Sequence, residues 1–290
     1  MNKIYSLLIL IFLFSCSPSN KNAGDKIITV SIAPFKYFVE EIAGGDFKVN
    51  VMVPSGADPH IYEPFPEQII KLGESVAYIS NGYLGFEMTW LDRFYETNKT
   101  MKKLSLGDKI ELLDTHHDMG RGHTESADPH YWVSPKSAMI MASSVEELLR
   151  DLNPPEKQKY EANYRILISK IGKVDSLAQQ LFSGLKNKSF MIYHPNLGYL
   201  AKDYGLKEIS VEFEGKEPTP SRMKELIDEA RADGMKTIFV QKEYDTKNAK
   251  AIADEIGAEV EIIDPLSENW MKATTDIIYA LHKSLIKNSN

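Results

Sequence analysis

From Lys26 onward, short β-branched runs alternate with stretches whose apolar residues recur every three or four positions. "KIITVSI", "FKVNVMV" and "SVAYIS" read as strands, and "FKYFVEEIAG", "PEQIIKLG" and "FEMTWLDRFYET" read as helices. After Lys188 the alternation resumes. "SFMIY", "LKEISV", "KTIFV" and "AEVEII" predict strands, and "LGYLAKDYG", "SRMKELIDEARADG", "TKNAKAIADEIG" and "NWMKATTDIIYALHKSLI" predict helices. A βαβα order of this kind predicts parallel sheets covered by helices, here an α/β fold of two lobes.

The segment between the lobes has a different period. Tyr160, Tyr164, Leu167, Ile171, Val174, Ala178 and Leu181 fall at alternating steps of four and three, one continuous apolar stripe. Asn153 suits a helix cap, Pro154 the first turn, and Glu156 completes a capping-box spacing. Gly184 is a natural stop. About thirty helical residues reach roughly 45 Å. The pattern predicts one long spine helix over 153–185, joining an amino-terminal lobe, 26–152, to a carboxyl-terminal lobe, 186–290. A helix inside a single larger domain is the alternative, and it leaves that length unexplained.

The first residues follow neither pattern. "MNKIYSLLILIFLFSCSPSN" has one positive charge, then an apolar run from Ile4 to Phe14 that is too short to span a bilayer. It reads as a secretory signal over 1–15. Cys16, the chain's only cysteine, follows directly. A lone thiol at that boundary is similar to a bacterial lipoprotein signal, with Cys16 as the lipid-bearing residue and 16–25 as a flexible tether. The alternative is an ordinary signal peptide with an incidental cysteine. Either reading places the folded part outside the cytoplasm and without disulfides.

Composition narrows the function classes. The chain has 290 residues, enough for two lobes with cores. Its 43% hydrophobic and 26% charged content is that of a globular protein. The net charge of −7, without basic runs, argues against nucleic-acid binding, which depends on phosphate neutralisation.

The histidines carry the chemistry. His60 follows "VNVMV" by a short loop, His194 follows "SFMIY", and Asp264 follows "VEII". His130 comes after "IELL" and the polar loop "DTHHDMGRGHTESAD". In open parallel sheets, ligands bind at the carboxyl edge of the strands, so two lobes facing each other would bring these four residues together in the cleft. Three imidazoles and a carboxylate form a coherent ligand set for a divalent metal, and nitrogen donors suit zinc better than manganese. Taken singly, each has a plain reading: a solvated loop histidine, a strand terminus, or the start of a turn. His116, His117 and His123 lie in the loop before His130, either gathering metal or simply solvated. The tetrapeptide ADPH occurs twice, ending at His60 and at His130. Asp58 and Asp128 either orient the imidazoles or make local turns with the backbone.

Seven stretches in order carry a resemblance over about Lys26 to Ile286: "VPSGADPHIYEPFPEQI", "SNGYLGFEMTW", "ADPHYWVSP", "YHPNLGYLAKDYGL", "EGKEPTPSRMKELI", "IFVQKEYDTKNAKAIADEIG" and "IIDPL". The chain resembles the zinc- and manganese-binding receptors of bacterial ABC importers, with the TroA-like fold. The resemblance implies that His60, His130, His194 and Asp264 bind the metal. Manganese-selective relatives often place Glu at the third position, so His194 points to Zn²⁺ as cargo. It further implies a monomeric, lipid-anchored receptor on the outer side of the cytoplasmic membrane that hands metal to a permease. The alternatives are the same receptor carrying Mn²⁺ or Fe²⁺, a surface adhesin on this fold, and a zinc hydrolase using the three imidazoles and a water. No HExxH or GxSxG motif supports the hydrolase. Small lobe movements, limited by the spine, are expected on binding.

Overall fold

The computed structural model describes residues 26–113, 127–212 and 216–288. The expectations for the signal peptide, the Cys16 anchor and His116, His117 and His123 fall outside those residues.

The first lobe holds strands β1 (Ile27–Val30), β2 (Lys48–Val51), β3 (Ser75–Ser80) and β4 (Lys102–Ser105), all parallel, in the order β2-β1-β3-β4. Helices α1 (Ala33–Ala43), α2 (Pro66–Gly73) and α3 (Gly85–Thr97) connect them. Short, almost fully buried strands such as β3 explain the apolar runs, because a parallel sheet covered on both faces has no solvent side to alternate toward. Helix α1 has Pro34 in its first turn and ends at Gly44, whose left-handed φ of 60° closes the last turn.

The second lobe repeats the plan. Strands β5 (Ser189–Ile192), β6 (Lys207–Ser210), β7 (Thr237–Gln241) and β8 (Glu259–Ile263) form a parallel sheet in the order β6-β5-β7-β8. Helices α6 (Gly198–Tyr204), α7 (Pro220–Ala232), α8 (Lys247–Ile256) and α9 (Trp270–Lys287) surround it. In each sheet the order reverses between the first and third strands, which opens a crevice at their carboxyl ends.

Between the lobes lie α4 (Pro135–Leu152) and α5 (Lys157–Phe182). Helix α5 is the expected spine, 26 residues and about 39 Å long. Its buried stripe is Tyr160, Leu167, Ile171, Val174, Ala178 and Phe182. A 3-10 turn over Pro154–Glu156 precedes it, and Asn153 makes no side-chain cap there. The Asn153 side-chain Nδ2 instead donates to the Tyr160 hydroxyl at 3.0 Å.

Two elements differ from expectation. Strand β4 and helix α4 were not read from the sequence, and "IELL" is not a strand but leads from a 3-10 turn (Leu106–Lys109) into irregular chain. His130 therefore follows a loop rather than a strand end. It is placed by tertiary contacts.

One apolar core runs through the first lobe, α4 and α5 and on into β5, α6 and α9. A smaller core fills the outer part of the second lobe. Two tryptophans tie the lobes together. Trp132 Nε1 donates to the Pro265 carbonyl at 3.0 Å, and Trp270 Nε1 donates to the Trp132 carbonyl at 2.6 Å. The Trp270 ring packs on Phe38 of α1, with centroids 5.3 Å apart. A shared core with buried cross-lobe hydrogen bonds resists wide hinge opening.

Candidate metal centre

Three of the four predicted residues meet in the cleft. His60, His130 and His194 offer ring nitrogens that all lie within 4.8 Å of one another. The Nε2 atoms of His60 and His130 are 3.0 Å apart, and those of His130 and His194 are 3.3 Å apart. Ring centroids are separated by 5.0, 4.9 and 5.1 Å, a nearly equilateral triangle. Nitrogens bound at 2.0–2.1 Å to a tetrahedral ion stand about 3.3 Å apart. The observed spacing is close to that value before any ion is considered.

His60 reaches the site from the loop after β2. Backbone bonds from Met52 to Val30 (2.8 Å) and from Val53 to Ser31 (2.9 Å) carry the β1–β2 ladder beyond the strand. Asp58 Oδ1 then accepts from the His60 amide at 2.8 Å. The His60 backbone lies directly against the start of α3. A Cβ built on Gly85 would stand 2.2 Å from the His60 carbonyl oxygen, so only glycine permits this approach.

His130 is held by both lobes. Asp128 Oδ1 accepts from its amide at 2.9 Å and pairs with its Nδ1 at 2.7 Å. With the Nδ1 proton on that bond, the Nε2 lone pair faces the cleft. From the first lobe, the Asn81 side chain donates to the Pro129 carbonyl at 2.9 Å, and Tyr131 Oη donates to the Asn81 carbonyl at 2.7 Å. Asn81 is itself fixed by buried Glu87, which accepts from the amides of Asn81 (2.8 Å) and Gly82 (2.6 Å) and from the Ser31 hydroxyl. Burial raises the Glu87 carboxyl above its ordinary range, and these donors oppose the rise. From the second lobe, Tyr199 Oη donates to the Asp128 carbonyl at 2.8 Å.

His194 directly follows β5 at the crevice of the second sheet, within two residues of Ile192. Buried Gln241, at the end of β7, accepts from the His194 amide at 3.3 Å and donates to its carbonyl. Tyr244 stacks on the ring at 4.8 Å and 18°.

All three imidazoles are withdrawn from water. Burial, then the charge that His130 and His194 would carry, lowers the His60 pKa to about 2. Burial also lowers that of His130, against the opposing pull of Asp128. At neutral pH both are neutral and ready to donate lone pairs.

Asp264 follows β8 as expected but stands outside the three-histidine group, with a side chain 36% exposed. Its Oδ2 lies 3.5 Å from Lys242 Nζ. Three carboxyl groups that matter here escaped the sequence reading: Glu87, Glu212 and Glu243. The Glu243 carboxyl is pushed up to about 7, first by burial and then by Asp264 and Asp58. Its position two residues beyond β7, at the sheet edge, was the one available signal.

Residues 28–283 match the family described as ZnuA, zinc-uptake complex component A, periplasmic. The chain belongs to the ZnuA family. A solved ZnuA structure superimposes with a TM-score of 0.84 at 35% identity, covering 90% of this chain and 99% of that one. The zinc-binding lipoprotein AdcA of Streptococcus pneumoniae (strain ATCC BAA-255 / R6) is 27% identical over 303 residues, 98% of this chain and 60% of AdcA. The chain thus spans only 60% of that relative's length. The high-affinity zinc uptake system protein ZnuA of Bacillus subtilis (strain 168) is 27% identical over 264 residues, covering 87% of this chain and 82% of the relative. The two-lobed α/β architecture expected from the sequence is the ZnuA architecture.

Proposed function

We propose that this protein is an extracytoplasmic receptor that captures one Zn²⁺ between its lobes and delivers it to the permease of an ABC importer. The observation that carries this reading is the convergence of three imidazoles from two lobes at nearly tetrahedral spacing. Membership of a zinc-uptake family supports it. His60, His130 and His194 bind through Nε2. Asp264 exchanges Lys242 for the metal and completes the tetrahedron, so the cargo enters with its charge partly neutralised. Spacing alone would also admit a six-coordinate ion. The three nitrogen donors favour zinc over Mn²⁺ or Fe²⁺.

Cys16 carries a lipid that holds the monomeric receptor on the outer side of the cytoplasmic membrane, and His116, His117 and His123 serve as accessory metal-gathering residues. The shared core and the Trp132–Trp270 bonds support capture by local rearrangement around Asp264 and His130 rather than by wide lobe closure. Binding without turnover makes the protein a carrier, not an enzyme.

One observation favours a zinc hydrolase: with Asp264 outside the group, a water could take the fourth position. Family membership stands against it. The test is dialysis of chelator-stripped protein against equal Zn²⁺ and Mn²⁺, with bound metal counted by elemental analysis in the parent and in His194→Ala and Asp264→Ala. One tightly held zinc, weakened in both variants, is expected. Manganese in its place would move the cargo, full retention by Asp264→Ala would return the fourth position to water, and no bound metal would sink the reading.

A further inference from the structure

Each of the two buried imidazoles faces a carboxylate of its own lobe. On His130 the pair is closed, with Nδ1 on Asp128 Oδ1 at 2.7 Å. On His194 it is open. His194 Nδ1 is buried and makes no hydrogen bond, while Glu212 Oε2 lies 3.4 Å away on a side chain that is itself only 7% exposed. Sheet register places this carboxylate. Beyond the ends of β5 and β6 the ladder continues, with the Val211 amide bonded to the Ile192 carbonyl at 2.9 Å and the Glu212 amide to the Tyr193 carbonyl at 2.8 Å. Glu212 therefore comes to rest beside His194 at the crevice, although 18 positions separate them in the chain.

We propose that Glu212 is the positioning residue for His194. It accepts a hydrogen bond from Nδ1–H when metal engages Nε2, and so fixes the tautomer and aim of that ligand. The proposal rests on the zinc reading above. Gln241 clamps the His194 backbone and Tyr244 covers one ring face, so the freedom left to the side chain is a small rotation within its slot. That rotation turns a 3.4 Å approach into a hydrogen bond. A carboxylate on the far nitrogen raises the basicity of the ligating one and removes the cost of orienting the ring, and losing such a partner typically costs about 10–100-fold in metal affinity. At His60 the corresponding aspartate, Asp58, bonds the backbone amide instead. The two buried ligands thus form the preorganised part of the site.

The experiment uses the full chain with Zn²⁺ as the probe and competes it against a chelator of known affinity. The parent must first bind one zinc; if it does not, the zinc reading fails and not this inference. Glu212→Gln, which keeps shape and removes charge, is expected to weaken zinc by about 10–100-fold with an unchanged melting temperature of the metal-free protein. Glu212→Asp is expected to recover part of the loss. Nitrogen–proton correlation spectra of the zinc-loaded protein should show His194 bound through Nε2 with its Nδ1 proton shifted downfield by a carboxylate acceptor, and that shift should be lost in Glu212→Gln, a readout that a purely structural glutamate would not move. Parent-like affinity in Glu212→Gln, or His194 bound through Nδ1, would overturn the proposal.

Discussion

Replacing Gly85 by alanine should damage the metal site without touching a ligand. Gly85 opens α3, and its Cβ would stand 2.2 Å from the His60 carbonyl oxygen, 3.0 Å from the carbonyl carbon and 3.2 Å from Cα. The backbone at Gly85 is not left-handed, so alanine suits it and the steric contact is the whole penalty. A carbon does not remain closer than about 3.0 Å to such an oxygen, so one partner must retreat by about 0.8 Å. Metal–ligand distances tolerate about 0.2 Å. If the His60 loop yields, its imidazole leaves the position 3.0 Å from His130 Nε2. Overpacking of this kind costs about 1–3 kcal/mol, and taken from binding that is roughly a 5- to 150-fold weaker zinc site. The control is Gly172→Ala in the middle of α5, where a Cβ meets nothing within 4 Å. There, stability should rise by up to about 1 kcal/mol with affinity unchanged. Chelator competition reads affinity and urea unfolding reads stability. If Gly85→Ala loses stability but binds zinc like the parent, α3 has yielded instead, and the claim that this contact sets His60 is wrong.

Three other expectations follow from the geometry. Trp270→Ala removes a buried ring that joins α9 to α1 and leaves the Trp132 carbonyl without its donor, so it should cost about 3–5 kcal/mol in urea unfolding; a loss under about 1 kcal/mol would show that the lobes do not depend on this bridge. Buried Glu208, which accepts the amides of Asn196 and Leu197, has its carboxyl pushed up to about 8 by burial and, less strongly, by Asp128. The folded state then binds the extra proton between the ordinary carboxylate pKa and about 8, so the group's contribution is fully present below that window and fades as pH rises through it; Glu208→Gln should gain stability relative to the parent between pH 6 and pH 9, and a constant difference would contradict the assignment. His60, lowered to about 2, stays neutral where an unfolded imidazole protonates, so the metal-free protein should lose stability as pH falls below about 6.5. His60→Gln should flatten that slope in urea titrations at pH 7.5 and 5.5, and an unchanged slope would mean that His60 is not the group responsible.

Much of the architecture could be read from local pattern. "KTIFV" became β7, the stripe from Tyr160 to Ala178 became the inner face of α5, and His194 followed its strand as expected. What escaped had weak local signals. Strand β4 is the four residues "KKLS", with two exposed lysines, and α4 carries buried Ser137 and Ser144 on its inner face, which blurred its apolar period. Glu87 and Glu212 carried no local signal, because one position in a sequence does not reveal that three donors, or a neighbouring strand end, will meet it.

The sequence alone determined the order of strands and helices and the placing of candidate ligands after them. Hydrophobic periodicity selects element type locally, and a βα order sends every loop that follows a strand to the same sheet edge. Tertiary structure decided the rest. Whether His60 and His130, separated by 70 positions, bring their Nε2 atoms within 3.0 Å depends on ångström-scale packing of two sheets through a shared core. So does the close approach at Gly85, the pairing of Asp264 with Lys242 outside the triangle, and the carboxylate beside His194. Metal ligation is sensitive to tenths of an ångström, and only the packed chain sets distances that finely.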